Sequence, residues 1–281
     1  MKRTILALAL LLALFAAACG ADDAGDTTVT TQAPGTTAPP DGPARMLLMV
    51  TNEGGFLPLE VALNQAPAFT LLTDGTLIFQ GATPAIFPGA LLPSLQRVTL
   101  TADQMKDIRV LIDAIGLPDI TDYVNDDANN FVADASSTVA TYVDDAGVSH
   151  RMSVYALGLQ QDMPDELANL ALLRDKLDTF SFEGPAGEPY ASDKLIVRVL
   201  EGGNFGAEFE DVRPWDFNFE PGDEPIQMPD IPCQVLEGDA AEAARALLVD
   251  ATQVTQWEHA SGTFTVLARD LMLGEDGCEP R

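Results

Sequence analysis

The stretch TVATYVDDAGVSHRMSVYAL, residues 138–157, reads as a β-hairpin and decides the fold class. Thr138 to Val143 and Val148 to Leu157 are rich in β-branched and aromatic residues, and Asp144-Asp145-Ala146-Gly147 between them has turn chemistry. A helix follows. Pro164 opens it, and Leu167, Leu170, Leu173 and Leu177 recur at helical spacing to face inward. The same order occurs earlier in the chain. Phe69 to Phe79 is a hairpin in which Asp74-Gly75 is expected to supply the positive φ angles of a two-residue primed turn. Thr101 to Ile115 is a helix, with Thr101 and Gln104 as a capping box and Met105, Ile108, Ile112 and Ile115 as its apolar face. Gly116 with Pro118 stops it. Met46-Leu47-Leu48-Met49-Val50 reads as a buried strand ended by Asn52-Glu53-Gly54-Gly55. The expected class is α+β: an antiparallel sheet built from β-hairpins with helices on one face, and a hairpin–helix unit that occurs twice.

Glu183-Gly184-Pro185-Ala186-Gly187-Glu188-Pro189 holds two prolines and two glycines in seven residues. It is the best internal boundary, separating an N-terminal subdomain (45–182) from a C-terminal one (188–281). The latter reads as a strand from Leu195 to Leu200, an aromatic-rich loop, and a helix from Asp239 with Glu242 as a second capping-box pair. A last hairpin joins Thr252–Glu258 to Thr263–Ala268 around Ala260-Ser261-Gly262. Cys233 and Cys278 bracket the helix and hairpin. A disulfide between them is expected, because no Cys-x-x-Cys or neighbouring Cys–His pair suggests a metal. Closing about 45 residues stabilises by about 4 kcal/mol in the chain-entropy model.

Residues 1–18 read as a signal peptide: Met1-Lys2-Arg3, then an apolar run from Ile5 to Ala18 too short to span a bilayer comfortably. Ala16-Ala17-Ala18-Cys19 resembles a lipobox, which implies lipidation of Cys19 by acyl chains such as palmitate. Plain secretion is the rival reading, since the same alanines satisfy the small-x-small rule and a typical lipobox has Leu where Ala16 stands. Cysteine arithmetic supports the lipid: modifying Cys19 leaves Cys233 and Cys278 as an even pair for an oxidising compartment. Two acyl chains suffice for stable attachment. Gly20 to Ala44, rich in Thr and Pro, reads as a tether reaching roughly 25–30 Å as a coil. The expected location is extracytoplasmic, on the cell membrane.

Removing the signal leaves 13 basic against 43 acidic residues, a charge of −30. Nucleic acid is excluded as a partner, because binding it needs clustered Lys and Arg. The acids are spread along the whole chain, so the charge reads as a solvated acidic surface, and paired carboxylates are uninformative.

The chain has no Gly-x-Ser-x-Gly, Ser-x-x-Lys, His-Glu-x-x-His or phosphate-loop motif. His150 shares a strand face with Val148, Met152 and Val154 and reads as a packed imidazole. His259, at the tip of the last hairpin, reads as a turn residue. No Ser–His–acid convergence is expected, and no catalytic residue or cofactor is assigned. Asn125, Asp127 and Asn129 fall at the alternating spacing of a calcium loop. Asn130 and Ser136 stand where such a loop needs Gly and a bidentate Glu, so a polar connection is favoured. Trp215, Phe217 and Phe219 alternate along an extended segment, with Phe205 and Phe209 nearby. They read either as a stacking or anchoring surface or as rings covering a sheet; with 19 aromatics in the chain, packing is favoured.

Thr51-Asn52-Glu53-Gly54-Gly55-Phe56, Val154-Tyr155-Ala156-Leu157-Gly158, Trp257 and a terminal cysteine together resemble an uncharacterised family of secreted lipoproteins from high-GC Gram-positive bacteria. Four lysines against eleven arginines fit a GC-rich coding sequence. The resemblance implies a location and no catalytic residue. The leading expectation is a non-catalytic binding or interaction module of the envelope, with an envelope protein or polysaccharide as partner. The alternative is an extracytoplasmic carboxylate-dependent hydrolase of envelope polymers, which needs a cleft holding one carboxyl with a raised pKa.

Overall fold

The computed structural model describes residues 43–125, 132–159, 163–182, 187–202, 211–222 and 231–278. All of them lie in the compact unit Thr37–Arg281. The first half carries β1 (Met46–Glu53), α1 (Leu59–Asn64), β2 (Phe69–Leu72), β3 (Thr76–Gln80), β4 (Leu95–Thr99), α2 (Ala102–Ile115), β5 (Asp122–Asn125), β6 (Ser137–Val143), β7 (Ser149–Tyr155) and α3 (Asp165–Phe182). The second carries β8 (Glu188–Pro189), β9 (Lys194–Glu201), β10 (Val212–Pro214), β11 (Cys233–Glu237), α4 (Asp239–Leu248), β12 (Gln256–His259) and β13 (Gly262–Asp270).

The fold is α+β, and in place of one sheet it has two. The larger runs β5-β7-β6-β1-β2-β3-β4-β8, and the smaller runs β10-β12-β13-β9-β11. Both are antiparallel except for one edge pair each: β5 beside β7 and β10 beside β12 are parallel. The second sheet arises because β13 pairs with β9 over seven residues rather than joining the hairpins of the first half. The expected repetition of a hairpin–helix unit is not visible in the pairing. Helix α2 follows the antiparallel run β2-β3-β4, whereas α3 follows the β6-β7 hairpin with β5 added in parallel at its edge, and β1 lies between the two runs.

Local chemistry accounts for the elements that form where the sequence places them. The Thr101 side chain accepts from the Gln104 N–H, the Gln104 side chain accepts from the Thr101 N–H, and Gly116 closes α2 at φ 77°. Thr101→Ala should therefore cost about 1 kcal/mol in chemical denaturation. The leucines of α3 are buried as its spacing requires. Three local expectations are corrected. Only Gly75 takes a positive φ in the first hairpin, and its N–H bonds the Leu72 carbonyl. That is a three-residue loop, longer than the two-residue turn expected. Gly238, not Asp239, caps α4, with no side-chain cap bond, so the second capping box does not form. The last hairpin turns on Ala260-Ser261 alone, and β12 begins at Gln256.

Helices α2 and α3 cover one face of the large sheet, where Leu48, Val50, Ala140, Tyr142, Met152 and Val154 meet Ile108, Ile112 and the α3 leucines. A register shift between Met46 and Leu48 turns both Leu47 and Leu48 toward that core. Helix α4 packs Ala241, Ala244 and Leu248 on Leu195, Val197, Val266 and Trp257 of the small sheet. The Cys233–Cys278 disulfide is formed, with its Cα atoms 5.8 Å apart. Among the described residues no helix is long and apolar enough to cross a membrane.

Candidate functional site

Strand alternation builds a groove on the large sheet, on the face away from α2 and α3. Since Leu48 and Val50, Ala140 and Tyr142, and His150 and Met152 point to the helices, their neighbours point away. Met49, Thr51 and Glu53 of β1, Thr141 and Val143 of β6, and Ser149 and Arg151 of β7 line this groove of about 860 Å³. Met49, Thr141 and Arg151 form one cross-strand row, since Thr141 is the register partner of both others. The chain enters along one side through Ala44 and Arg45, and the segment after β13, Leu273 to Gly277, forms the facing wall.

Three of the groove's charged side chains, Arg151, Glu53 and Glu275, are held in ion pairs, while Arg45 and Asp276 are exposed. Arg151 donates to Glu53 at 3.0 Å and to Asp122 at 3.4 Å, while Thr51 Oγ1 donates to Glu53 at 3.1 Å. Glu275 is enclosed. Both of its oxygens accept from Arg269, at 2.8 and 3.0 Å, and the Met272 N–H adds a third bond at 2.7 Å. Burial pushes the Arg269 guanidinium down to about 10, against a smaller opposing pull from Asp270. Gly274 must be glycine: its φ is 95°, and a Cβ there would run into Met46 Sδ. What the floor offers a ligand is three hydroxyls, Thr51, Thr141 and Ser149, beside apolar Met49 and Val143.

Sequence reasoning did not single out Arg151, Glu53 or Glu275. The alternation of Ser149, Arg151 and Ser153 against His150, Met152 and Val154 was a visible sign of a polar face. The facing wall had no such sign, because it comes from a segment more than 200 residues away from β1.

The residues singled out from sequence lie elsewhere. His150 is buried: its Nδ1–H donates to the Ile120 carbonyl at 2.6 Å, and Nε2 lies 3.4 Å from Asp144. Asp144 also accepts from the Val148 N–H, which, ahead of the histidine, holds its carboxyl below the usual range. Trp215, Phe217 and Phe219 converge with ring centroids 4.9 to 5.5 Å apart, and Phe217 lies 5.7 Å from Trp257. Phe217 is buried, and the Trp215 Nε1–H donates to the Phe219 carbonyl at 2.8 Å, so the indole's polar group is used internally. Of the calcium-spaced residues, Asp127 and Asn129 lie outside the described residues, as do Cys19, Phe205 and Phe209. Among the described residues, no group of three or more His, Cys, Asp or Glu could hold a metal ion.

One convergence was not foreseen. His259 Nδ1 lies 2.7 Å from Ser261 Oγ and Nε2 lies 3.3 Å from Glu220. The order is that of a Ser–His–acid relay, but Ser261 is half of the hairpin turn and its N–H also points at Nδ1. With Ser261 and Glu220 exposed, the ring works as a clasp between the turn and the 215–220 segment. A second clasp sits at the far end of β12. Asp211 accepts both Nε and Nη2 of Arg213 and, at 2.6 Å, the Thr255 hydroxyl. The arginine, then the hydroxyl, hold its carboxyl below the usual range. Compared with protein-family models, with curated proteins and with solved structures, the chain matches none.

Proposed function

We propose that the chain is a lipid-anchored extracytoplasmic binding module whose groove on the large sheet holds a neutral, hydroxyl-rich envelope polysaccharide. The anchor reading rests on the N-terminal signal pattern and Cys19, together with the resemblance to secreted lipoproteins. The disulfide adds support, because pairing Cys233 with Cys278 leaves Cys19 as the odd cysteine. The observation that carries the ligand reading is the groove's lining. Arg151 is paired with Glu53 and Asp122, exposed Arg45 and Asp276 add one charge of each sign, and the floor offers hydroxyls with methionine and valine carbons to an occupant. Such a surface suits a polymer with hydroxyl edges and C–H faces, and gives no net attraction to a charged one.

The carboxylate-dependent hydrolase is the second reading, because Glu53, Glu275 and Asp276 line the same groove. A general acid must keep its proton at working pH. Glu53 and Glu275 are instead each engaged by an arginine, and no carboxyl in apolar surroundings is seen among the described lining residues.

Sedimentation of the full chain with purified envelope polysaccharide tests the proposal. Thr141→Trp fills the floor and is expected to weaken binding by at least about tenfold, a change of about 1.4 kcal/mol. Unchanged binding by a folded Thr141→Trp variant removes the groove from the function. Release of new reducing ends in the same assay favours the hydrolase.

A further inference from the structure

The register of the large sheet gathers three connections at one of its ends. β1 leaves the sheet at Glu53, opposite Ser137, which is itself opposite Tyr155 at the end of β7. On the other side Val50 is paired with Phe69, Phe69 with Phe79, and Gln80 with Leu95. The β1–β2 connection (54–68), the β3–β4 connection (81–94) and the segment after β7 (156–159) therefore project from the same end of neighbouring strands.

Their tips are apolar and stand in water. Phe56 is 89 % exposed, Ile86 70 %, Phe87 64 % and Leu159 63 %. Helix α1, within the first connection, buries none of its residues and exposes Leu59 and Val61. Polar bonds hold it in place. Its Leu63 carbonyl accepts from Arg198 Nη1 at 2.9 Å, and Asn64 Nδ2 donates to the Leu91 carbonyl at 3.4 Å, which ties the first connection to the second. Composition also sets this end apart. In a chain of which 21 % is charged, the three connections carry a single charged residue, Glu60. Asp134 stands beside them, its carbonyl accepting from the Phe56 N–H at 3.3 Å. Apolar groups gathered in water on a soluble domain mark an interaction surface.

We infer that this end of the large sheet docks on a lipid bilayer, with Phe56, Ile86 and Leu159 inserted just below the headgroups. The inference rests on the lipid-anchor reading, which supplies the bilayer. The projecting side chains come from separate connections. A protein partner would need a matching pocket for each, whereas the headgroup boundary accepts apolar side chains wherever they fall. The connections carry no Lys or Arg to hold phosphates, and an anchored domain needs none, because a tether makes insertion an intramolecular event for which weak affinity suffices. The excess of acids turns the rest of the surface away from anionic headgroups, so the charge-poor end is the one that approaches. Chain length permits the pose. Gly20 to Ala44 spans about 80 Å when extended, against about 26 Å for the eight residues of β1 between the tether and the tips.

The chain without residues 1–19 carries neither the signal peptide nor the lipid, and its compact unit from Thr37 on is intact. Phe56→Trp and Ile86→Trp each place an indole on a tip, and Val110→Trp places one at an exposed apolar position of α2. Vesicles of brominated phosphatidylcholine are expected to blue-shift and quench the emission added by the first two and to leave the third unchanged. Phe56→Ser combined with Ile86→Ser should lower vesicle partitioning about tenfold in flotation, with Tm unchanged because both residues are exposed. Absence of quenching at both tips, equal quenching in Val110→Trp, or partitioning unaffected by the double variant overturns the inference. So does a concentration-dependent dimer that forms without vesicles, is lost in the double variant and leaves the tips unquenched, since it assigns this end to a second copy. The anchor is read separately, from the mass of the N-terminal peptide of protein taken from cells. Tip quenching with an unmodified Cys19 keeps the lipid-seeking end and removes the anchor, and a lipid on Cys19 without tip quenching does the reverse.

Discussion

Replacing Glu275 with Ala is expected to destabilise the protein by about 3–5 kcal/mol, measured as a shift in the urea midpoint, because it leaves a buried cation without its counter-charge. The Arg269 side chain is 4 % exposed and that of Glu275 is 3 % exposed, so neither finds water when the other is lost. The Met272 N–H loses its acceptor as well. Glu275→Gln should recover a minority of the loss, since the amide oxygen can still accept but carries no charge. Equal stability of wild type and Glu275→Ala would mean that Arg269 reaches solvent and that the pair is ornamental. The variant has a local signature too. Leu273 to Gly277 form one wall of the groove, and their amides are expected to exchange with solvent faster once Glu275 no longer ties them to β13.

The second large effect comes from Cys233→Ser with Cys278→Ser, or from reduction of the wild type. The bridge closes a separation of 45 residues, so its loss is expected to cost about 4 kcal/mol through the freer unfolded chain. Chemical denaturation of oxidised and reduced protein measures this directly, and a difference under about 1 kcal/mol would contradict the chain-entropy account. The two perturbations act on one segment, since Glu275 and Cys278 both fasten the chain after β13. Their effects should therefore not add. In a double-mutant cycle, losing Glu275 should cost less once the bridge is open, because a segment already released gives Arg269 access to water.

Much of the first half was legible in the residues. The capping box at Thr101 and Gln104, the glycine after Ile115 and the leucine spacing of α3 are short-range signals, and each is satisfied within a few residues of itself. The hairpin of residues 138–157 was legible for the same reason: its turn bonds run between Asp144, Gly147 and Val148. Where local signals compete, the reading slipped. Asp239 with Glu242 has the letters of a capping box, yet Gly238 takes the cap at φ 53°. Asp74-Gly75 resembles a primed turn, yet a loop one residue longer is formed.

The groove and the burial of Arg198 show what short-range signals omit. Alternation already separated Thr51, Thr141, Ser149 and Arg151 from the core side of their strands, since side-chain direction has a period of two. Alternation says nothing about what faces that polar side. Here it is the segment after β13, held by an ion pair six residues apart and a disulfide spanning 45, and only long-range pairing brings it to β1. Arg198 gives the same lesson about charge. In the chain it is one arginine inside an apolar strand, which alternation explains as a residue for the solvent face. The fold instead covers that face with α1 and sets Arg269 diagonally beside it. Propensity, capping and the disulfide could be read along the chain because their partners are near in sequence or chemically unique. The burial of a charge, and the choice of its partner, depend on which strands pair, and that was decided by the packing of two sheets.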